Sequence, residues 1–293
     1  LKELVVISGK GGTGKTSIAA SLISLAGRVV AADCDVDAAN LHLVIKHEVR
    51  KSTPFQGGSK AVIDPALCVS CGKCQELCRF DAISNHDSGF RVDKFACEGC
   101  GVCAYFCPEG AVTLHDEKGG EWFLSDTATG PMVHARLAAG GENSGKLVTI
   151  VRNEAKKVAS AGGFETIIVD GAPGIGCPVI ASITGADAVL IVTEPTLSGA
   201  HDMERVLELA GHFGVRALLA VNRYDINSEI ASQISEYAAS HGVPVAGMIR
   251  YDPDVTRAQM NGISVVEYSD GPAATDIRLL SEAVTEYLGL EEK

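Results

Sequence analysis

The chain has 293 residues, 46% of them hydrophobic and 21% charged, with 37 acidic against 25 basic side chains and a formal charge of −12. That composition excludes a disordered or collagen-like polypeptide, and the length suits one large α/β domain with a small extra module. The acidic balance argues against a broad nucleic-acid footprint; no apolar run approaches the roughly 18 residues of a spanning helix, and the start Leu1-Lys2-Glu3 does not fit a secretory signal, so a cytoplasmic protein is expected.

In chain order, the apolar run at 4–8 predicts a buried strand, 15–26 a helix and 29–33 a second strand, which together imply a right-handed parallel crossover. Between the first strand and the helix stands Gly9-Lys10-Gly11-Gly12-Thr13-Gly14-Lys15-Thr16, which fits G-x-x-x-x-G-K-[ST] in the context that motif requires. Its glycines let the backbone N–H groups from Gly11 through Ser17 curl around phosphate oxygens at a helix N-terminus. Lys15 is then expected at the β- and γ-phosphates and Thr16 at Mg²⁺. The plainer alternative is a glycine turn that binds nothing.

Cysteine density rises next. Of ten cysteines, eight lie between Cys68 and Cys107, and in a large chain without an export signal that clustering points to metal rather than disulfides. The segment also repeats itself: Ile63-Asp64 before Cys68 matches Val92-Asp93 before Cys97, and Ala82-Ile83 matches Ala111-Val112, all at an offset of 29. Both runs have the spacing C-x₂-C-x₂-C-x₃-C of bacterial ferredoxins, where three close thiolates cap one cubane and the fourth reaches the other. Cluster I would use Cys68, Cys71, Cys74 and Cys107, and cluster II Cys97, Cys100, Cys103 and Cys78. Tetrahedral zinc is the alternative. Arg79 stands in the first run where Pro108 stands in the second.

A Gly-rich stretch (119–145) is less readable, after which the α/β rhythm returns. Strands are predicted at 166–170, 188–193, 217–221 and 245–249, and helices at 145–161, 201–213, 228–241, 253–261 and 273–288. The expected fold class is α/β, a mainly parallel-sheet P-loop NTPase (1–58 and 119–293) with an inserted α+β two-cluster ferredoxin-like domain at 59–118.

The second lysine of the loop, Lys10, makes it resemble the deviant Walker A of the MinD/ParA and nitrogenase iron-protein superfamily. That resemblance implies a homodimer around ATP in which Lys10 reaches the partner's nucleotide. Asp33-Cys34-Asp35-Val36-Asp37-Ala38-Ala39-Asn40-Leu41 resembles the family's switch I, with Asp35 orienting the attacking water and Asp33 near Mg²⁺. Ile167-Ile168-Val169-Asp170-Gly171-Ala172-Pro173-Gly174 resembles Walker B and switch II, with Asp170 holding Mg²⁺ and a glycine allowing backbone movement. Asn222-Arg223 resembles the adenine-binding segment, the loop containing Pro253 and Asp254 completing the base pocket; for Asn222 a strand-end turn is the alternative. Unlike the basic amphipathic end of MinD, the last residues, 287–293, are acidic, so no membrane anchor is expected.

Two cysteines remain. Cys34 is expected to be structural. Cys177 stands seven residues after Asp170, an offset at which the nitrogenase iron protein carries a cluster ligand, so the resemblance implies an interface metal or redox role; a packed small residue is the alternative. The polar segment 134–146 reads either as a partner-contact loop or as a linker with Ser144 capping a helix. Functionally, the sequence favours an ATPase whose ATP-dependent dimerisation is coupled to electron transfer through two [4Fe–4S] clusters to a redox partner. A metallocluster carrier serving a client protein comes next, and a ParA/MinD-like positioning ATPase third.

Overall fold

A computed structural model describes residues 1–86, 89–138 and 143–290. In chain order the elements are β1 (Lys2–Ser8), α1 (Lys15–Leu25), β2 (Val30–Asp33), α2 (Leu41–Val44), β3 (His47–Ile63), α3 (Lys73–Glu76), β4 (Ile83–His86), β5 (Gly89–Val92), α4 (Val102–Tyr105), β6 (Val112–Thr127), β7 (Pro131–Leu137), α5 (Ser144–Gly162), β8 (Thr166–Pro173), α6 (Cys177–Ile183), β9 (Ala188–Thr193), α7 (Leu197–His212), β10 (Arg216–Asn222), α8 (Ser228–Ser240), β11 (Val245–Ile249), α9 (Asp254–Met260), α10 (Val265–Tyr268) and α11 (Pro272–Leu288).

The chain divides into two compact units, one of 1–53, 122–136 and 144–293, the other of 54–121 and 137–143. In the first, the strand order β11-β10-β9-β1-β8-β2-β7 puts β1 inside a large sheet. β1 pairs in parallel with β8 on one side and β9 on the other. That position explains the continuous apolar run: Leu4, Val5, Val6 and Ile7 are all 0% exposed, as a strand covered on both faces demands. Helices α1 and α11 cover part of the sheet through Ile18, Leu22, Ile277 and Leu280, in one core with Leu4, Val6 and Leu190.

The parallel register sets the site. Asp33 at the end of β2 is the Cα partner of Asp170 on β8, so two carboxylates leave adjacent strand ends beside the loop after β1. Binding at the carboxyl ends of parallel strands is the general arrangement for such sheets.

In the second unit β4 and β5 form an antiparallel pair, Ile83 opposite Val92. Its small core joins Ala61, Ala82, Cys97 and Val112, the remaining cysteines of the two runs packing round them except for Cys68, Cys71 and Cys100. The matched positions Ala82 and Ala111 are 2% and 1% exposed, so the 29-residue repeat recurs in the burial pattern.

Several elements depart from the sequence expectation. The stretch read only as Gly-rich contains the end of β6 and all of β7. β3 was not predicted, because Lys51, Ser52 and Gly57-Gly58 break its alternation. Helix α7 begins at Leu197 rather than 201, its start fixed by Thr196, whose hydroxyl accepts from Gly199 N at 2.9 Å. Part of the 134–146 segment and the last three residues lie outside the described residues.

Candidate functional site

The loop between β1 and α1 is held by close backbone packing. A Cβ on Gly9 would stand 2.4 Å from Asp202 Cβ and 2.6 Å from its backbone oxygen, so the loop leaves β1 pressed against α7. Gly14, at φ 86°, is the left-handed residue that turns the loop into α1. Asn222 at the end of β10 donates from Nδ2 to Thr13 O at 2.8 Å, fixing the loop from the other side.

Lys15 is 6% exposed and points into the carboxylate pair. Its Nζ donates to Asp170 Oδ1 at 2.9 Å and lies 3.6 Å from Asp35 Oδ2. Burial works against its charge, but the Asp170 and Asp35 carboxylates outweigh that, holding the ammonium above the ordinary lysine value. Burial pushes the Asp33 carboxyl well up, Asp170 adding to it. Asp35 is raised too, again through burial, with Lys15 pulling the other way.

Asp33 and Asp170 divide their tasks. Asp33 Oδ1 accepts from Asp35 N and Oδ2 from Leu41 N, both at 3.1 Å, so this side chain shapes the loop carrying Asp35. Asp170 Oδ2 is buried with no partner. An orphaned, buried carboxylate oxygen suits a hard divalent cation or its water ligands. Asp170, with Thr16 of the motif lining the cleft, therefore fits Mg²⁺, whereas both oxygens of Asp33 are engaged with backbone.

The cleft above this group has a volume of about 620 Å³ and is lined by Gly11, Gly12, Thr13, Gly14, Lys15, Thr16 and Ser17 on one side, with Asn222, Arg223, Tyr251 and Gln259 among the residues opposite. That volume lies within the roughly 300–1,000 Å³ of small-molecule sites. Pro253 and Asp254 do not line it. Asp254 is spent on its own surroundings, accepting from Ser269 Oγ at 2.8 Å and from Arg257 Nη1 at 2.7 Å. Their neighbours Asp252 and Val255 take that place. Sequence reasoning also passed over Gln259, whose Nε2 donates to Ser17 Oγ at 2.7 Å, and Glu194, whose Oε1 accepts from Arg223 Nη1 at 2.6 Å. Neither belongs to a motif; the only signal for Glu194 was its place just past a strand end. Lys10 points to the start of α7, donating to Ser198 Oγ at 3.1 Å and Thr196 Oγ1 at 3.3 Å.

In the second unit the eight clustered cysteines line two small cavities. One holds Cys68, Cys71, Cys74 and Cys107, walled by Ile63, Phe90 and Val112. The other holds Cys78, Cys97, Cys100 and Cys103, walled by Ala61, Phe80 and Ile83. Backbone N–H groups approach two of the sulfurs, Ala111 N at 3.3 Å from Cys107 Sγ and Gly99 N at 3.5 Å from Cys97 Sγ. Burial pushes the Cys74 and Cys103 thiols up. Among the described residues, no three His, Cys, Asp or Glu side chains gather closely enough to hold a single metal ion. Cys34 is fully buried, its N–H donating to Asp170 O at 2.7 Å, while Cys177 opens α6 and is exposed. Among the described residues no helix is long and apolar enough to cross a membrane.

Residues 4–265 match the CobQ/CobB/MinD/ParA nucleotide binding domain family. An uncharacterized protein of Methanocaldococcus jannaschii is 33% identical over 292 residues, which is 98% of each chain. Among solved structures, the cell division ATPase MinD of Pyrococcus furiosus superposes with a TM-score of 0.58 at 20% identity, over 98% of this chain and 99% of its own. The MinD of the Aquifex aeolicus MinC:MinD complex gives 0.56 at 18%, over 100% and 98%. At such identities the structural likeness speaks for the fold.

These matches correct the functional expectation. An ATPase coupled to electron transfer, or to the delivery of a metallocluster, was favoured from the cysteine runs. The family that matches is a nucleotide-binding domain, and the solved chains similar to this one over its length include MinD and a ParA family ATPase. What they show is a nucleotide-binding ATPase fold, without the electron-transfer or cluster-delivery role. The error has a physical source: cysteine spacing specifies ligands and says nothing of what a bound group would do. With the phosphate loop, the parallel sheet and the family match in agreement, the chain belongs to the CobQ/CobB/MinD/ParA family of nucleotide-binding P-loop ATPases.

Proposed function

We propose that the chain is an ATP-hydrolysing switch of the MinD/ParA kind, paired by ATP and acting in that state on a protein partner as a positioning ATPase. The observation that carries this reading is the packing of Lys15 between Asp170 and Asp35, with Asp170 Oδ2 left without a partner. Mg²⁺ held by Thr16 and Asp170 would supply charge neutralisation for the β- and γ-phosphates. Around it, the backbone from Gly11 to Ser17 binds phosphate, Lys15 takes up its negative charge, Asp35 orients water, and Asn222 and Arg223 hold the base end. The Aquifex MinD whose structure contains MinC is the analogue for a protein partner. Purified chain should turn over ATP with Mg²⁺. Lys15→Ala should lose nucleotide binding, and Asp35→Ala should bind ATP, accumulate a pair of chains and hydrolyse at under about a hundredth of the wild-type rate. Full turnover in the Asp35 variant would remove that residue from the chemistry.

The second unit we read as a ferredoxin-like insertion holding two [4Fe–4S] clusters as a structural element. Its support is the assortment of the cysteines, each cavity taking three from one run and one from the other, as in two-cluster ferredoxins. Anaerobically purified chain should contain about eight irons and no stoichiometric zinc. Cys107→Ser should disturb the cage of Cys68, Cys71 and Cys74 alone, leaving about four irons bound.

A further inference from the structure

Glu194 lies just past the end of β9 and is shared between two cations from different parts of the site. Its Oε1 accepts from Arg223 Nη1 at 2.6 Å, and its Oε2 lies 3.9 Å from Lys10 Nζ. The carboxylate is the desolvated member, its side chain 15% exposed against 31% for Lys10 and 38% for Arg223. Among the described residues Lys10 is otherwise held by the Thr196 and Ser198 hydroxyls. Arg223 follows Asn222 in a left-handed conformation, φ 54°, and reaches the cleft.

The unequal distances decide the energetics. A half-buried carboxylate that loses its last cation is strongly destabilised, whereas one that keeps a short charge-assisted hydrogen bond loses little when a second, looser cation leaves. With Arg223 in place, Lys10 can depart and Glu194 stays paired. Without Arg223, the departure of Lys10 leaves Glu194 alone. We propose that Glu194 and Arg223 are positioning residues that set how readily Lys10 leaves its own protomer, Arg223 being the resident counter-charge that makes Lys10 releasable. The inference rests on the ATP-paired state proposed above and concerns its regulation: the base end of the cleft and the lysine that must cross to a second copy of this chain are linked through one carboxylate.

The test reads the dimer dissociation constant of the full chain by analytical ultracentrifugation, at saturating non-hydrolysable ATP analogue with Mg²⁺ and with occupancy checked by a fluorescent analogue. Arg223→Met should weaken the dimer at least about tenfold, because among the described residues Lys10 is then the one cation left to Glu194. Adding Glu194→Gln to that variant should restore the dimer to within about threefold of Glu194→Gln alone. A residue that merely touched the base would show no such rescue. Dimerisation of Arg223→Met at the wild-type constant overturns the proposal, and so does a weakened dimer that Glu194→Gln fails to restore. A wild-type chain that stays monomeric with the analogue bound is a separate outcome: it overturns the ATP-paired reading, and this inference with it.

Discussion

At the scale of single residues, burial of ionisable groups is where the molecule is most exposed to test. His134 on β7 is 6% exposed, its ring stacked between Phe123 at 4.9 Å and His42 at 5.6 Å, with His47 edge-on at 5.4 Å. Burial, then the neighbouring His47 and His42, lowers its pKa from 6.5 to about 4. A base whose folded pKa is depressed gives its full stability above the unfolded value and loses it as pH falls toward the folded one. Stability should therefore decline between pH 6.5 and 4 by at most about 3 kcal/mol from this group. His134→Gln cannot take up that proton, so urea titrations across the range should show a shallower slope in the variant. Equal slopes would mean that the imidazole is protonated without cost in the folded chain. No sequence signal flagged these histidines, since His42, His47 and His134 meet only through the placement of α2, β3 and β7.

At the scale of elements, α6 links the loop after Asp170 to the body of its unit. Arg152 on α5, 6% exposed, pairs with Glu3 through two bonds of 2.8 and 2.7 Å and donates to Ala181 O and Thr184 O at the far end of α6. It thus neutralises a buried carboxylate and satisfies the last carbonyls of a short helix. Arg152→Met should cost about 3 kcal/mol in urea unfolding, with Lys156, 2.9 Å from Glu3, limiting the loss. Pairing the change with Glu3→Gln should recover part of it, and a variant as stable as wild type would show that the pair contributes nothing net. Such elements mark what could be read in advance. β1, β8 and β9 were legible because strands buried on both faces are written as unbroken apolar runs, and Gly9 to Thr16 because phosphate binding needs glycine at fixed spacing. β3 and α6 were not, one because glycines and charges interrupt its pattern, the other because seven residues are too few for a helical period. Glu194 and Gln259 were illegible for a different reason: their importance comes from partners far away in sequence, Arg223, Lys10 and Ser17.

At the scale of the whole molecule the net charge of −12 bears on how two copies meet. Each approaches the other as a like-charged body, and ATP adds further negative charge to both. This summed repulsion reaches out to about the Debye length, about 30 Å at 0.01 M salt and about 10 Å at 0.1 M, and is screened beyond it. In the proposed ATP-bound pair the holding contacts, above all Lys10 against phosphate, would act at hydrogen-bond range, where screening is weak. Salt should therefore act mainly on the encounter. The association rate of chains loaded with non-hydrolysable analogue, followed by stopped-flow energy transfer, should rise several-fold between about 10 and 150 mM salt, the dissociation rate changing much less. Asp and Glu outnumber Lys and Arg by 37 to 25, so duplex DNA should show no appreciable binding to the loaded pair at 150 mM. An association rate that falls with salt would mean that the positive charge around the cleft, Lys10, Lys15, Arg223 and Arg250, steers the approach more strongly than the molecule's total charge opposes it.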